Sequence, residues 1–304
     1  MAIPTRVLGR TGAEVTVLGY GAMELRGGPR GPTIDDAEAG RLLNELLDAG
    51  INLIDTSVDY GRSEELIGQY VSSRRDEYFL ASKCGCPLSP PPDATPPYAH
   101  DYSAANVRAD VEQSLQRLRT DRLDLVQVHM SPTREDMERG GTIEELVRLR
   151  DEGKLRFIGM SGLLPNLPDH IEMGVFDVFQ IPYSALQRDH EELISRAAGT
   201  GAGVLVRGGA ARGTAGDKDW SVQPIGLGEH VARDRWEAAD LDSLLDGMTR
   251  HEFILRFTIS HSGLSSTIVG TSNLEHLRSN IEIAQRGPLP DAVYAEARRR
   301  LADA

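Results

Sequence analysis

Ile51-Asn52-Leu53-Ile54-Asp55-Thr56-Ser57-Val58-Asp59-Tyr60-Gly61 is the stretch that decides how this chain is read. Its opening apolar run has the length of a short buried strand, and an acid and a phenol follow where strand gives way to loop. Two further runs each end on one titratable group: Phe79-Leu80-Ala81-Ser82-Lys83 and Leu125-Val126-Gln127-Val128-His129. Asp, Tyr, Lys and His at the finish of strands are the components of a proton-donating site built around a tyrosine. A phenol titrates near pH ~10 and is a poor acid at neutrality until a nearby cation stabilises its anion. Lys83 supplies such a cation, Asp55 can hold it protonated, and His129 can orient a substrate oxygen. Alone, each has an ordinary explanation: a buried tyrosine or histidine, a strand-end lysine, a capping aspartate. All four together at strand ends favour the chemical explanation.

Outward from these runs, periodicity gives eight segments of strand length: Val15–Met23, Asn52–Ser57, Tyr78–Lys83, Asp124–Met130, Phe157–Gly162, Val178–Ser184, Gly203–Gly209 and Ser266–Ser272. Amphipathic helical patterns separate them, including Asp35–Ala49, Ser63–Ser72, Ser103–Leu118, Thr142–Glu152 and Asp189–Ala198. Ser103, Thr142 and Asn273 read as capping residues before helices, and Gly50 and Gly153 as helix stops. Strand–helix alternation implies parallel strands with helical crossovers, and eight rounds imply a closed (β/α)8 TIM barrel. Its active site would lie at the C-terminal strand ends, where the four candidates fall.

No domain boundary appears, so residues 1–304 read as one barrel domain with long catalytic-face loops. Cys84–Tyr102 carries Pro90-Pro91-Pro92 and Pro96-Pro97 and should be stiff and non-helical. Ala210–Arg235 is a second long connection, with the rare aromatics Trp220 within it and Trp236 directly after. Loops this long at a catalytic face suit lids or substrate walls. A last helix, Asp291–Ala302, should pack outside the barrel or trail from it.

Composition narrows the class. A formal net charge of -13 argues against a nucleic-acid partner, and 40% hydrophobic residues suffice for a large core. No segment approaches the ~20 apolar residues of a membrane span. The only two cysteines, Cys84 and Cys86, are too close for an ordinary structural bridge, which suggests a reducing, cytoplasmic setting. A structural zinc normally takes four ligands. With no further cysteine beside Cys84, Cys86 and His129, no metal is expected.

The chain resembles the aldo-keto reductases nearly end to end. Arg6–Gly12 through Leu18–Met23 looks like that family's N-terminal β-hairpin and first strand. DTSVDYGRSEELIG (Asp55–Gly68) is similar to its active-site segment, and GKLRFIGMSG (Gly153–Gly162) and VGTSNLEHLRSN (Val269–Asn280) to two cofactor segments. The resemblance implies an NAD(P)H-dependent reduction of an aldehyde or ketone. Asp55, Tyr60, Lys83 and His129 would be catalytic, with Tyr60 as proton donor and Lys83 lowering its pKa.

The resemblance also places the cofactor. Ser161 and Gln180 would bond the nicotinamide carboxamide, Gly21, Ala22 and Met23 would line the nearby wall with Asp55 close by, and Arg207 would stack where an aromatic is usual. Gly270, Thr271, Ser272 and His276 would surround the adenosine 2′-phosphate, with Asn280 near the adenine. A helix N-terminus suits that anion. Gly270 and His276 stand where strictly NADPH-dependent reductases often carry Lys and Arg, and Gly162 replaces the asparagine usual after Ser161. NADPH is therefore expected to be favoured modestly, with NADH usable. Gly199-Thr200-Gly201-Ala202-Gly203 precedes a strand, so it reads as a helix stop and not a dinucleotide fingerprint. Two other functions fit parts of the pattern: a Schiff-base aldolase with Lys83 as nucleophile, and a cofactor-sensing regulatory subunit. The partner is a small carbonyl compound in the favoured reading; substrate and oligomeric state are not legible.

Overall fold

The computed structural model describes residues 2–28, 34–87, 99–211 and 229–304. A two-stranded antiparallel hairpin, β1 (Thr5–Val7) and β2 (Glu14–Thr16), opens the chain. Eight parallel strands then close on themselves: β3 (Leu18–Gly21), β4 (Leu53–Asp55), β5 (Phe79–Cys84), β6 (Leu123–Val128), β7 (Leu155–Ser161), β8 (Val178–Pro182), β9 (Gly203–Arg207) and β10 (Ser266–Val269), with β10 pairing β3. This is a (β/α)8 barrel.

The expected strand Val15–Met23 divides into three. Val15 and Thr16 belong to the hairpin, Leu18–Gly21 enter the barrel, and Ala22–Leu25 form a 3-10 turn. Val17 bonds back to the Pro4 carbonyl, so the backbone changes pairing partner at that residue. Apolar periodicity ran through the change and concealed it.

Strand side chains alternate between faces with period two. One consistent set, Leu53, Ala81, Leu125, Val178, Leu205 and Ile268, forms an apolar cluster closed from below by Leu8 and Val15 of the hairpin segment. The Arg6 guanidinium fastens that hairpin, donating to the carbonyls of Ile259, His261 and Leu264. Each buried Leu, Val or Ile in this floor contributes roughly 1.5–3 kcal/mol. Two residues beyond each floor position stand Asp55, Lys83, Gln127, Gln180, Arg207 and Gly270. The floor therefore fixes the rank above it, and apart from Gly270 that rank is polar.

Helices α1 (Asp36–Asp48), α2 (Ser63–Val71), α3 (Ala104–Leu118), α4 (Arg134–Gly140), α5 (Thr142–Asp151), α6 (Leu167–Met173), α7 (Glu191–Gly199), α8 (Glu229–Ala238), α9 (Arg250–Ile259), α10 (Leu274–Gln285) and α11 (Asp291–Asp303) lie between and after the strands. Ser103 and Asn273 cap α3 and α10 through their side chains, as expected. Thr142 does not cap: Gly141 holds that position, and the Thr142 hydroxyl donates to the Tyr102 carbonyl. Gly50 and Gly153 both take positive φ just past their helices. The last helix packs down, with Tyr294 edge-on to Phe257 and Ala297 buried. Among the described residues no helix is long and apolar enough to cross a membrane.

Most of the two long loops, 88–98 and 212–228, lies outside the described residues. Where the second is described it corrects the reading: helix α8 occupies its end. Trp236 is core and not a substrate wall, 1% exposed, edge-on to Phe253, with its indole N–H donating to Asp242.

Candidate active site

Asp55 ends β4 and Lys83 stands one residue before the end of β5, and both side chains are buried. Lys83 Nζ donates to Asp55 Oδ2 at 2.7 Å and to the Thr56 carbonyl at 2.7 Å. The other carboxylate oxygen, Asp55 Oδ1, accepts from Gln127 Nε2 at 2.7 Å and Gln180 Nε2 at 2.8 Å. Gln127 is a site residue the sequence reading missed, although its place two beyond Leu125 was a usable signal. Burial alone would lower the Lys83 pKa, but the Asp55 carboxylate, with Tyr60 and Asp59, outweighs it and holds the ammonium above its ordinary range.

Tyr60 sits on the turn between β4 and α2. Its amide donates to the Ser57 carbonyl, and its own carbonyl accepts from Ser63 N. Gly61 makes the turn possible: its φ is +47°, and a Cβ there would stand 2.2 Å from the Arg26 carbonyl oxygen. Ser63 Oγ donates to the Ala22 carbonyl and pairs with Thr56 Oγ1, so the phenol-bearing turn is tied to the end of β3. The Lys83 ammonium lies 4.8 Å from the Tyr60 ring centroid. Burial raises the phenol's pKa and Lys83 opposes it, with Asp55 and Asp59 adding to the rise; the result is a raised value. The lowering expected from Lys83 is thus present but outweighed.

His129 follows β6 directly, its amide donating to the Cys84 carbonyl and its carbonyl accepting from the Tyr102 hydroxyl at 2.8 Å. Its ring meets Tyr60 edge-on at 6.2 Å. Burial depresses its pKa, Asp59 opposes, and Lys83, His100 and Arg207 add to the fall. The imidazole is therefore neutral at physiological pH. Cys86 Sγ is 3.1 Å from His129 Nδ1, and burial keeps that thiol protonated. A thiol donating to Nδ1 leaves the ring proton on Nε2. The two residues after His129, Met130 and Ser131, both hold positive φ, an uncommon pair of non-glycine left-handed conformations.

The remaining expected positions divide. Ser161 Oγ donates to Gln180 Oε1 at 3.3 Å, so these two meet, beside Asp55. Gly162 leaves little room for a larger residue, since a Cβ there would lie 2.6 Å from Leu167 Cδ1. Arg207, half-buried at the end of β9, is close enough for its charge to act on Tyr60 and His129. Of Gly21, Ala22 and Met23, Ala22 is fully buried; Gly21 and Met23 keep exposed surface.

At the end of β10, Gly270 packs against β3: a Cβ there would stand 2.6 Å from the Gly21 carbonyl oxygen. This backbone approach accounts for the absent cation at that position. Thr271 is held by the Tyr20 hydroxyl, which donates to its carbonyl. Asn273 Oδ1 already accepts from the amides of Glu275 and His276. His276 is exposed, whereas Arg278 is engaged by Glu45 through both Nε and Nη2. Asn280 is buried and bonded to His251 Nε2 at 2.7 Å.

A model of the aldo/keto reductase family matches residues 17–301. The chain is 27% identical over 288 residues to the uncharacterized oxidoreductase YqkF of Bacillus subtilis (strain 168), covering 92% of this chain and 90% of that protein. It is 29% identical over 300 residues to L-galactose dehydrogenase of Arabidopsis thaliana, covering 92% and 87%. The holo form of aldo-keto reductase AKR11C1 from Bacillus halodurans superposes with a TM-score of 0.84 at 28% identity, over 98% of this chain and 96% of that one.

Proposed function

This chain belongs to the aldo/keto reductase family, and from that premise we propose that it reduces an aldehyde or ketone to an alcohol, with Tyr60 as proton donor and NADPH modestly preferred. The observation that carries the reading is the clamp on Lys83: an ammonium fixed by Asp55 and the Thr56 carbonyl beneath the Tyr60 ring. When bound, the nicotinamide supplies the hydride. Tyr60 gives its proton to the carbonyl oxygen as charge develops there, and Lys83 stabilises the phenolate that remains. Solvent then returns a proton to Tyr60. His129, neutral with its proton on Nε2, donates a hydrogen bond that orients the oxygen. Asp55 keeps Lys83 charged, and Gln127 and Gln180 keep Asp55 in place.

The donor set suits the cofactor. Ser161 and Gln180 form a weak mutual hydrogen bond that an amide ligand can replace on both sides, and Arg207 offers a guanidinium plane from β9, the strand next to Gln180's. Ser272, the α10 terminus and His276 would share the 2′-phosphate. With no Lys or Arg at 270 or 276, the preference for NADPH over NADH should be modest.

A raised phenol favours the reductive direction at neutral pH, because oxidation needs tyrosinate as base. The relative named L-galactose dehydrogenase makes sugar-derived carbonyls a sensible first panel. The Schiff-base alternative is disfavoured by the same clamp, since a nucleophilic lysine needs a depressed pKa and a free lone pair. Following nicotinamide absorbance with NADPH against a panel of aldehydes, ketones and aldonolactones tests the proposal; no turnover of any carbonyl with cofactor bound would favour a regulatory role instead.

A further inference from the structure

Cys86, His100 and His129 bring one sulfur and two ring nitrogens within 4.8 Å of one another. In sequence, Cys84, Cys86 and His129 with no further cysteine fall short of four ligands; His100 comes from the far end of the loop and joins only in three dimensions. The cluster is held by the fold. Asp110 Oδ2, on α3, accepts from the amides of Gly85 and Cys86 at 2.7 and 3.1 Å, which fixes the cysteine. Asp101 N donates to the Gly85 carbonyl, and His100 stacks on Tyr102, whose hydroxyl is bonded to the His129 carbonyl. Both limbs of the loop and the end of β6 are thus linked around the three side chains.

The chemistry of the set is selective. A thiolate with two imidazoles suits zinc and its neighbours, while magnesium and calcium demand oxygen ligands. With bonds of ~2.3 Å to sulfur and ~2.0 Å to nitrogen, a tetrahedral angle places S and N about 3.5 Å apart. Cys86 Sγ and His129 Nδ1 stand 3.1 Å apart, so that pair opens by about 0.4 Å and the third atom closes by at most about 1.5 Å. The thiolate and Asp59, whose Oδ1 is 4.0 Å from His129 Nδ1, supply two negative charges toward a dication, against the more distant charges of Lys83, which is paired with Asp55, and Arg207.

We propose that Cys86 Sγ, His129 Nδ1 and a ring nitrogen of His100 bind one divalent transition-metal cation of the zinc class, with water in the fourth position. On binding, the Cys86 S–H bond breaks, a sulfur–metal bond forms and the proton leaves to solvent; no oxidation state changes. Nδ1 coordination leaves the ring proton on Nε2. The binding does not depend on any role of His129 in carbonyl reduction.

Cobalt(II) reports the site directly. Metal-stripped, untagged full-length protein titrated with cobalt(II) should take up one equivalent, with a thiolate-to-cobalt charge-transfer band in the near-ultraviolet that zinc abolishes. Cys86→Ser should lose that band while keeping a wild-type circular dichroism spectrum. His100→Ala, at a half-buried position, should weaken cobalt affinity at least about tenfold, the loss produced even by removing a partner behind a ligand. Absence of the band in wild type overturns the proposal, as does its persistence in Cys86→Ser. Should Cys86→Ser fail to fold, His100→Ala decides, and an unchanged cobalt affinity there overturns it.

Discussion

Lys83 and Asp55 form a buried ion pair whose two ends are unequally supported. Among the described residues Asp55 has two amide donors besides the ammonium, while Lys83 has the Thr56 carbonyl alone besides the carboxylate. Removing one member of a buried pair typically costs about 3–5 kcal/mol, because the other charge is stranded. Asp55→Asn should therefore destabilise more than Lys83→Met, whose orphaned carboxylate keeps Gln127 and Gln180. The double variant should lose less than the sum of the singles. Denaturant unfolding of the four proteins measures this, and additive losses would mean that the pair is not coupled.

Lys83 also governs the phenol. Reduction requires protonated Tyr60, and burial raises its pKa against the opposing ammonium. The alkaline fall in reductive kcat/KM should thus lie above the ordinary phenol value of ~10, and oxidation should gain with rising pH over the same range. Lys83→Met removes the opposing cation, so it should slow reduction and move the alkaline limb still higher. A slowed variant with an unmoved limb would show that Lys83 does not act through the phenol.

Cofactor preference separates two substitutions that look alike in sequence. His276→Arg places a guanidinium on an exposed position at the start of α10 and should tighten NADPH by about 1–2 kcal/mol, the scale of a charge-assisted hydrogen bond. Gly270→Lys should fail to do so, because its Cβ would meet the Gly21 carbonyl oxygen at 2.6 Å. Titrating NADPH and NADH against both variants checks this. Equal NADPH affinity in His276→Arg and wild type would mean that the residue does not face the phosphate.

His129 links the site to stability. Its folded pKa lies below the unfolded value of ~6.5. As pH falls below that value, the unfolded chain takes up a proton that the folded chain refuses, so stability drops; above it the contribution is complete. His129→Asn should flatten the rise of stability between pH 5 and 6.5 by at most about 1.4 kcal/mol per pH unit. His170, His190 and His261 are depressed by burial too, so some slope should remain. An unchanged slope would mean that His129 titrates alike in both states.

The barrel was legible because eight apolar runs of strand length alternate with amphipathic helical patterns, and within several of those runs a floor residue is followed two positions on by a polar one. Leu53 before Asp55 and Ala81 before Lys83 show it in the chain itself. Leu125 before Gln127 shows it equally, yet Gln127 went unread because an amide carries no titratable signal. Other features depend on partners remote in sequence. Nothing near Gly270 reveals that the Gly21 backbone excludes a side chain there, and nothing near His100 reveals that it meets Cys86 and His129. Trp236 looked like a loop aromatic because the helix bearing it has weak periodicity; packing on Phe253 and the hydrogen bond to Asp242 settle its place.

Tyr60→Phe tests the central claim most directly, since it deletes one hydroxyl and almost no volume. Cofactor affinity, measured by fluorescence titration, should be unchanged, while kcat/KM for the best carbonyl of the panel should fall by ~10²–10⁴-fold, the usual worth of a positioned general acid. A variant that binds cofactor normally and reduces the carbonyl at the wild-type rate would contradict the account, because no proton could then be coming from Tyr60.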